Sequence, residues 1–453
     1  MTILHDIADW TLGDGVESLP AAGVQLAKRA FVDTLGVTLL GARLEAPRIL
    51  AAVECGAGGR PDASVVAMAT KADVRSAALV NGTSAHADLF DDNSAPMIAH
   101  PSAPLVSALL PLAQSRGASG RAVLQAYAAG FEVGVKLGRM LNPQLYERGW
   151  HATRVLGILG CTAACCRLIG LDRGRTVAAL GIATSMASGI RQNFGTMTMA
   201  LHAGLTARDA VHAALLAERG FGADPNALEG RYGFFALFAG LAPALLPLGD
   251  PFELVASGII FKPYPSGAPT HAAVDAALVL RERMGGDASR VAKVVCFVHP
   301  WNAMTLREEP PRDMLQAKVN LRYCVAAALR FGELGYAQFE GASLHDAGLR
   351  ELMARIDVRT SEDLPDNGEF PAEVEIETID GRKHRQRCDV PPGGSTRPLT
   401  EAQVAAKFRN CAAVALDAAA TERALSMIGR LETLATVVEL CELLEGAGTP
   451  ARI

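Results

Sequence analysis

Residues 119–138 read SGRAVLQAYAAGFEVGVKLG, a stretch that shows how the first half of the chain is built. Apolar or small residues recur every three to four positions, which is the spacing of one face of an α-helix. Ser119 precedes the pattern, as an N-terminal cap does. Similar patterns fill most of residues 1–250, so we expect helix packing to dominate this half. The apolar stripe consists of Leu124, Tyr127, Phe131, Val135 and Gly138.

The pattern changes after the turn PYPSGAP at residues 263–269. Residues 291–300 and 372–390 have the composition of β-strands, and Asp380-Gly381 within the second stretch predicts a hairpin turn. A helical pattern separates the two stretches, so this part of the chain is predicted to be a small α+β unit. From about Glu401 to Leu444 the pattern is helical again, and we expect this tail to pack onto the first half.

The composition indicates a helix-rich protein of two domains. A chain of 453 residues is longer than one hydrophobic core usually serves. Hydrophobic residues make up 50% and aromatic residues only 5%, so the apolar residues are mostly small and allow helices to approach closely. The formal net charge of -5 gives no basic surface for phosphates, and nucleic acid is not expected as a partner.

Neither secretion nor a membrane span is predicted. The N-terminal stretch carries Asp6 and Asp9 where a secretory peptide would carry positive charge and then an uninterrupted apolar run. Pro243 and Pro247 interrupt the apolar run Tyr232–Gly249, which favours a buried helix and turn. The nine cysteines contain no CxxC pair, so we expect buried, reduced thiols in a cytoplasmic protein, and no structural zinc.

Several common motifs are missing from the sequence. Residues 56–61, GAGGRP, lack the third glycine of a dinucleotide fingerprint, and there is no GxxxxGK[ST], HExxH or GxSxG motif. These absences count against nicotinamide, nucleotide and zinc-hydrolase chemistry.

Four stretches place polar residues within apolar helical sequence, where each would be costly to bury without a partner or a function. The stretches are residues 81–104 with His86, Asp88, Asp91, Asp92, Asn93 and His100; residues 146–157 with Tyr146 and His151; residues 191–204 with Arg191, Asn193, Thr196, Thr198 and His202; and residues 261–271 with Lys262, Tyr264 and His271.

Taken in order, these stretches resemble the MmgE/PrpD family, whose members include 2-methylcitrate dehydratase, cis-aconitate decarboxylase and iminodisuccinate epimerase. Each motif alone is weak evidence, whereas the ordered set over essentially the whole chain is specific. The motifs are HAxxFDD with HPS, GWH, NFGTMT with LHAG, and FKPYP, accompanied by GFGADPNALEG and YCVAAAL.

The resemblance implies a mainly α fold. It predicts a large, discontinuous all-helical domain formed by residues 1–258 and 400–453, with a smaller α+β lid domain inserted at residues 259–399. It also implies a homodimer, and an active site between the two domains that uses no metal and no organic cofactor.

Removing a proton next to a carboxylate requires a positioned base and nearby cations or hydrogen-bond donors. We predict that His100 and His151 are the acid-base or carboxylate-binding groups, although a histidine alone is more often structural. Lys262 is predicted to bind a substrate carboxylate or to exchange protons, with a surface lysine as the alternative. Tyr146 is a candidate for the opposite acid, although such tyrosines usually only bury the ring.

The remaining candidates are predicted to bind substrate or to support these groups. Asp91 and Asp92 would orient His100, or one of them would cap a helix. On its own, His202 would be interpreted as a core histidine. The predicted substrate-binding residues are Asp91, Asp92, Asn93, Arg191, Thr198, His202 and Tyr264.

Three positions depart from the family pattern. Leu89 replaces an acidic residue before FDD, Met199 replaces the lysine of FGTMTK, and Gly267 replaces a histidine of the decarboxylase lid turn. Losing an acid and a lysine together leaves the pocket electrically balanced but less charged. We therefore expect a smaller or less charged acid than a citrate-like tricarboxylate.

The predicted function is that of a lyase that dehydrates or decarboxylates a small carboxylic acid. One alternative is an epimerase or isomerase, with Tyr146 and Lys262 as a two-base pair. Another is a ligand-binding protein that has lost catalysis, which the changes at Leu89, Met199 and Gly267 would explain.

Overall fold

The computed structural model describes residues 2–56, 58–365 and 368–446. It divides into two compact units. One contains the described residues of 1–259 and 400–453, and the other contains those of 260–399. The predicted helical domain runs to residue 453, and its last part, residues 447–453, lies outside the described residues.

The first unit begins with a long series of helices. Ser119 caps α6 as predicted, because its side chain accepts a hydrogen bond from the amide of Ala122 at 3.3 Å. The helices are α1 (Ile3–Leu12), α2 (Ala21–Gly41), α3 (Glu45–Glu54), α4 (Val74–Ala87), α5 (Ser102–Arg116), α6 (Gly120–Leu141), α7 (Gln144–Glu147), α8 (Ala152–Val155), α9 (Gly157–Ile169), α10 (Arg173–Met186), α11 (Met197–Glu218), α12 (Phe234–Phe238) and α13 (Glu253–Ala256).

Small residues allow the helices that carry the polar motifs to approach closely. A side chain at Gly82 of α4 would lie 2.8 Å from the Cα of Gly204 on α11, so only glycine fits at this contact. Ala85, Ala103 and Ala203 form a small buried cluster that joins α4, α5 and α11. The end of α4, the start of α5 and the first turns of α11 therefore meet.

The prediction of a mainly α fold with an all-helical large domain is wrong. In the first unit, β1 (Ala63–Val65) and β2 (Thr70–Ala72) form an antiparallel hairpin. The hairpin is fixed by helical side chains, because the amide of Ser64 donates to Gln114 Oε1 at 2.7 Å. Strands of three residues are too short to show a two-residue period, which is why the sequence pattern missed them. With the sheet of the second unit, the chain is a mixed helix and sheet fold in which helices predominate.

The second unit is built on a four-stranded sheet. The strand order is β4-β3-β5-β6, with β3 and β4 parallel and the other pairs antiparallel. The hairpin at Asp380-Gly381 is confirmed, since it joins β5 to β6 and Gly381 has a φ of 80°. The elements are α14 (His271–Arg283), β3 (Val291–Val298), α15 (Pro300–Ala303), α16 (Met314–Ala317), α17 (Leu321–Phe331), α18 (Gly341–Leu344), α19 (Ala347–Ala354), β4 (Ile356–Thr360), β5 (Ala372–Thr378) and β6 (Lys383–Cys388).

The C-terminal helices belong to the first unit. They are α20 (Glu401–Ala412), α21 (Ala418–Gly429) and α22 (Val438–Leu444). α20 packs on α2, where a side chain at Gly36 would lie 3.2 Å from the Cα of Phe408. Lys407 of the same helix pairs with Asp33 at 2.7 Å and donates to the backbone oxygen of Phe90 at 2.7 Å. The tail thus supports the loop that follows α4.

Two apolar stretches test the prediction that the chain has no membrane span. Within the described residues, Ala152–Ile169 alone is helical, long and apolar enough to cross a bilayer, and 83% of it is buried, which is typical of a core helix in a soluble protein. Tyr232–Gly249 contains only the short helix α12, and Tyr232 is 75% exposed. The predicted helix is therefore present, with Phe234 and Phe235 buried, whereas most of the rest of the stretch is exposed or half-buried.

Candidate active site

The candidate site is built on the loop between α4 and α5, residues 88–101, which we call the acidic loop. α4 ends at Ala87, and Leu89 then adopts a left-handed conformation with a φ of 54°. Such a conformation is uncommon for leucine because the Cβ crowds the backbone. The turn brings the Oδ2 of Asp91 to 2.8 Å from the Nδ1 of His86 in the last turn of α4. Both side chains are almost fully buried.

His100 lies at the other end of the acidic loop, just before α5. Its Nδ1 is 2.7 Å from the backbone oxygen of Asp92 and 3.6 Å from the Oδ2 of Asp91. Because a carbonyl oxygen only accepts hydrogen bonds, this Nδ1 carries a hydrogen, and Nε2 is the basic atom of the neutral ring. The His100 side chain is 19% exposed, whereas Asp91 is fully buried. His100 therefore has the geometry of a general base whose ring solvent can reach.

Two more imidazoles lie next to this pair. The ring of His86 is 4.6 Å from that of His100 and 5.8 Å from that of His151. His151 and His202 face each other with 2.9 Å between their Nδ1 atoms, so one donates and the other accepts. Burial, followed by the neighbouring imidazoles, holds the pKa of His151 well below its usual range, and burial lowers the pKa of His202 to about 4. Both rings are therefore uncharged at neutral pH.

Backbone and ionic contacts fix His151 in place. Its amide donates to the backbone oxygen of Gly189 at 3.0 Å. Gly189 has a φ of 97°, and a side chain there would lie 2.9 Å from the Cγ of Arg154. Arg154 donates to the backbone oxygen of Met186 at 2.8 Å and forms a buried ion pair with Asp209. The segment that holds His151 is thus rigidly anchored.

The second aspartate of the acidic loop faces hydroxyl groups. Asp92 Oδ1 accepts a hydrogen bond from the amide of Ser102 at 3.2 Å, and its Oδ2 accepts one from the Ser102 hydroxyl. That hydroxyl lies 2.7 Å from the hydroxyl of Tyr127 on α6. Burial raises the pKa of Asp92 to about 8, so this carboxyl group is mostly protonated at neutral pH. Burial also raises the pKa of Tyr127.

Tyr146 and Arg191 form a contact of their own. The guanidinium of Arg191 lies 3.7 Å above the ring of Tyr146 and donates to its backbone oxygen at 3.0 Å. Burial raises the pKa of Tyr146 although Arg191 opposes this, so the hydroxyl keeps its proton at neutral pH. The ring of Phe194 links this pair to the imidazoles, at 5.8 Å from Arg191 and 4.9 Å from His151.

The other predicted residues are divided between the two units. Asn93 is buried in the acidic loop, and Thr198 is half-buried in the first turn of α11. In the second unit Lys262 is fully buried, so the alternative of a surface lysine is wrong. Tyr264 is half-buried there, 5.4 Å edge-to-face from the ring of His271, and burial raises the pKa of Tyr264. Of the predicted residues, those that meet around the acidic loop are Asp91, Asp92, His100, His151 and His202.

His86 is absent from the residues that the motifs predict as catalytic or binding. It lies five positions before Asp91, and the two meet only because the helix ends between them and Leu89 turns the chain back. A left-handed leucine has no sequence signature. The signals available in the sequence were its place within a helical pattern, close to two aspartates, and its position as the first residue of the HAxxFDD motif.

One possible ligand for this cluster is a divalent cation. Single ligand atoms of His86, Asp91 and His100 lie within 4.8 Å of one another, and imidazole with carboxylate suits several transition metals. The Nδ1 of His100 donates to the oxygen of Asp92, which leaves its Nε2 as the atom that a metal would bind. A metal-binding histidine usually donates from its other nitrogen, and the Nε2 of His86 has no such partner among the described residues. His86 therefore lacks the second contact that usually supports a metal-binding histidine.

Comparisons with known proteins agree with the motifs. A model described as the MmgE/PrpD N-terminal domain matches residues 5–244, and one described as the C-terminal domain matches residues 264–433. The chain is 27% identical over 451 residues to a cis-aconitate decarboxylase of Homo sapiens, covering 94% of this chain and 91% of the human protein. It is 27% identical to the Mus musculus enzyme of that name, covering 98% and 92%. A cis-aconitate decarboxylase of Aspergillus terreus is 24% identical, covering 98% and 96%.

Proposed function

Because the chain belongs to the MmgE/PrpD family and is an enzyme of the lyase class, we propose that it transfers a proton next to a carboxylate of a small organic acid, as a decarboxylase or a dehydratase, without a cofactor. The observation that carries the proposal is the cluster of four imidazoles, two of which lie against the buried Asp91. His100 is the proton-transfer group in this proposal.

Decarboxylation requires a proton donor next to the substrate carbon. The bond between the substrate carbon and its carboxylate breaks, carbon dioxide leaves, and the electron pair stays on the carbon. A proton must then reach that carbon, and protonated His100 supplies it from Nε2. The Asp91 carboxylate, 3.6 Å from the other nitrogen of His100, stabilises the imidazolium before the transfer.

Dehydration uses the same group in the opposite direction. Neutral His100 takes the proton from the carbon next to the carboxylate through Nε2. The imidazolium then gives that proton to the hydroxyl group on the neighbouring carbon, which leaves as water. His151 and His202 are uncharged, so they support this chemistry as hydrogen-bonding groups and not as cations.

The choice of substrate rests on the names of the relatives and on the positions at which this chain departs from the family pattern. The curated relatives are named cis-aconitate decarboxylases, which makes cis-aconitate the reference compound. Leu89 and Met199 are both only 4% exposed, so an apolar side chain takes the place of a family charge at each position. We propose that a hydroxylated dicarboxylate is processed faster than cis-aconitate.

The test is turnover of a defined panel by the purified protein. cis-Aconitate, citrate, malate and citramalate are incubated with wild type and with His151→Ala, and released carbon dioxide and ultraviolet absorbance of new double bonds are followed. We expect turnover of at least one compound, slowed in the variant by on the order of a hundredfold because a hydrogen-bonding group beside the reacting atoms is lost. No turnover of any compound would contradict the proposal. Solvent deuterium entering the substrate carbon without net elimination would instead indicate an epimerase.

The proposal also includes a homodimer located in the cytoplasm. Nine free cysteines, eight of them buried, support a reducing compartment. Sedimentation equilibrium at several concentrations tests the dimer.

A further inference from the structure

His86 has a position that neither the motifs nor the proposed chemistry explains. The residue is buried at the end of α4, with its ring 4.6 Å from that of His100. An imidazole at this depth would be costly to bury unless its hydrogen bonds contribute something. Its Nδ1 contacts Asp91 at 2.8 Å, whereas its Nε2 has no hydrogen-bond partner among the described residues. Among the described residues, the hydrogen bond that His86 makes is therefore the one at Nδ1.

Asp91 lies between two imidazoles that it contacts unequally. It is 2.8 Å from the Nδ1 of His86, a hydrogen bond, and 3.6 Å from the Nδ1 of His100, which exceeds hydrogen-bond length. The hydrogen of the His100 Nδ1 goes to the backbone of Asp92. Asp91 consequently acts on His100 through its charge, and the hydrogen bond from His86 holds that charge in position.

We propose that His86 is a positioning residue that fixes the Asp91 carboxylate beside His100 through its Nδ1–H. The inference rests on the proposed function, in which His100 carries the proton. A carboxylate that orients and charges an imidazole is a recurring device of acid-base sites. Here the carboxylate is itself oriented by a second imidazole, which does not touch the substrate.

Two amide variants distinguish the roles of the two ring nitrogens of His86. In His86→Asn, the amide nitrogen takes the place of Nδ1 and can still donate to Asp91. In His86→Gln, the amide nitrogen reaches the place of Nε2 and the donor to Asp91 is lost. We expect His86→Gln to lower kcat about ten- to a hundredfold with KM within about twofold, a part of the usual acid-base contribution. His86→Asn should keep kcat within about threefold of wild type, and His212→Asn, on α11, is the matched control.

Equal loss of kcat in both amide variants would overturn the proposal, because the donor that His86→Asn keeps at the place of Nδ1 would then rescue nothing. Equal activity of both with wild type would also overturn it. The double variant His86→Gln/Asp91→Asn gives a further check. If His86 acts through Asp91, the double variant is no slower than Asp91→Asn alone, whereas additive losses contradict the inference.

A measurement without substrate separates this inference from the proposed function. Ring nitrogen-15 spectra of histidine-labelled protein, recorded at one pH, report the surroundings of His100. We expect His86→Gln to move the His100 resonances and His86→Asn to leave them in place, even if wild type processes none of the panel. Turnover by wild type with unchanged His100 resonances in both variants would retain the proposed function and remove the role of His86. Should His86→Gln fail to fold, Asp91→Asn must move the same resonances.

Discussion

Asp91 and Asp92 are adjacent in the chain but lie in different surroundings. Asp91 contacts imidazoles, at 2.8 Å from His86 and 3.6 Å from His100. Asp92 contacts the amide and hydroxyl of Ser102, whose hydroxyl in turn meets that of Tyr127. We infer that the Asp91 side of the acidic loop serves the proposed acid-base chemistry and that the Asp92 side holds the loop in place. Substitutions on each side should therefore separate activity from stability.

The largest effect is expected at His100. In His100→Asn, the amide nitrogen can still donate to the backbone oxygen of Asp92, but no atom replaces the Nε2. We expect kcat to fall on the order of 100- to 10,000-fold, the usual contribution of a general acid-base group. The free energy of unfolding should fall by no more than about 1 kcal/mol, because the hydrogen bond to the backbone oxygen of Asp92 is kept. Steady-state kinetics and urea unfolding measure the two effects, with His212→Asn as control.

A variant His100→Asn that keeps more than a tenth of the wild-type kcat would contradict the assignment of proton transfer to this residue. If His100→Asn lowered the free energy of unfolding by as much as it raised the activation free energy, activity and stability would not be separated between the two sides of the loop.

The second-largest expected effect is a dependence of the free energy of unfolding on pH, caused by Asp92. Its pKa is about 8 in the folded protein and near 3.8 when unfolded, so between these values the folded state binds a proton that the unfolded state has released. The stability that this group contributes is therefore present at low pH and is lost as pH rises toward 8. The slope is at most about 1.4 kcal/mol per pH unit for one proton.

Asp92→Asn removes this slope, since an amide does not titrate and can keep both contacts to Ser102. We expect the variant to lie within about 1 kcal/mol of wild type near pH 4 and to become progressively more stable than wild type up to pH 8. Urea unfolding at several pH values measures the difference. Parallel profiles for the two proteins would show that Asp92 is ionised in the folded state.

How much of this site the sequence can predict depends on the kind of signal. His100 and His151 are identifiable because they lie in short motifs next to Pro-Ser and Gly-Trp turns. The four-stranded unit is visible because the helical pattern stops and a hairpin turn appears. The contact of His86 with Asp91 and the hairpin of β1 and β2 are not predictable, since the first depends on a left-handed Leu89 and the second on side chains from distant helices. The protonated state of Asp92 depends on burial, which two adjacent aspartates in a sequence cannot reveal.

The smallest effect is expected at Tyr127, and it bears directly on whether the two sides of the acidic loop are independent. Tyr127→Phe keeps the buried ring and removes only the hydroxyl contact with Ser102, so we expect a loss of about 1 kcal/mol in stability and an unchanged kcat. Tyr323→Phe is the matched control, since that buried hydroxyl donates to the backbone of Gln338 in the second unit. Thermal unfolding and kinetics compare the two. A tenfold loss of kcat in Tyr127→Phe alone would mean that the hydroxyls set the position of the imidazoles, because Asp92 joins Ser102 to the backbone oxygen that orients His100.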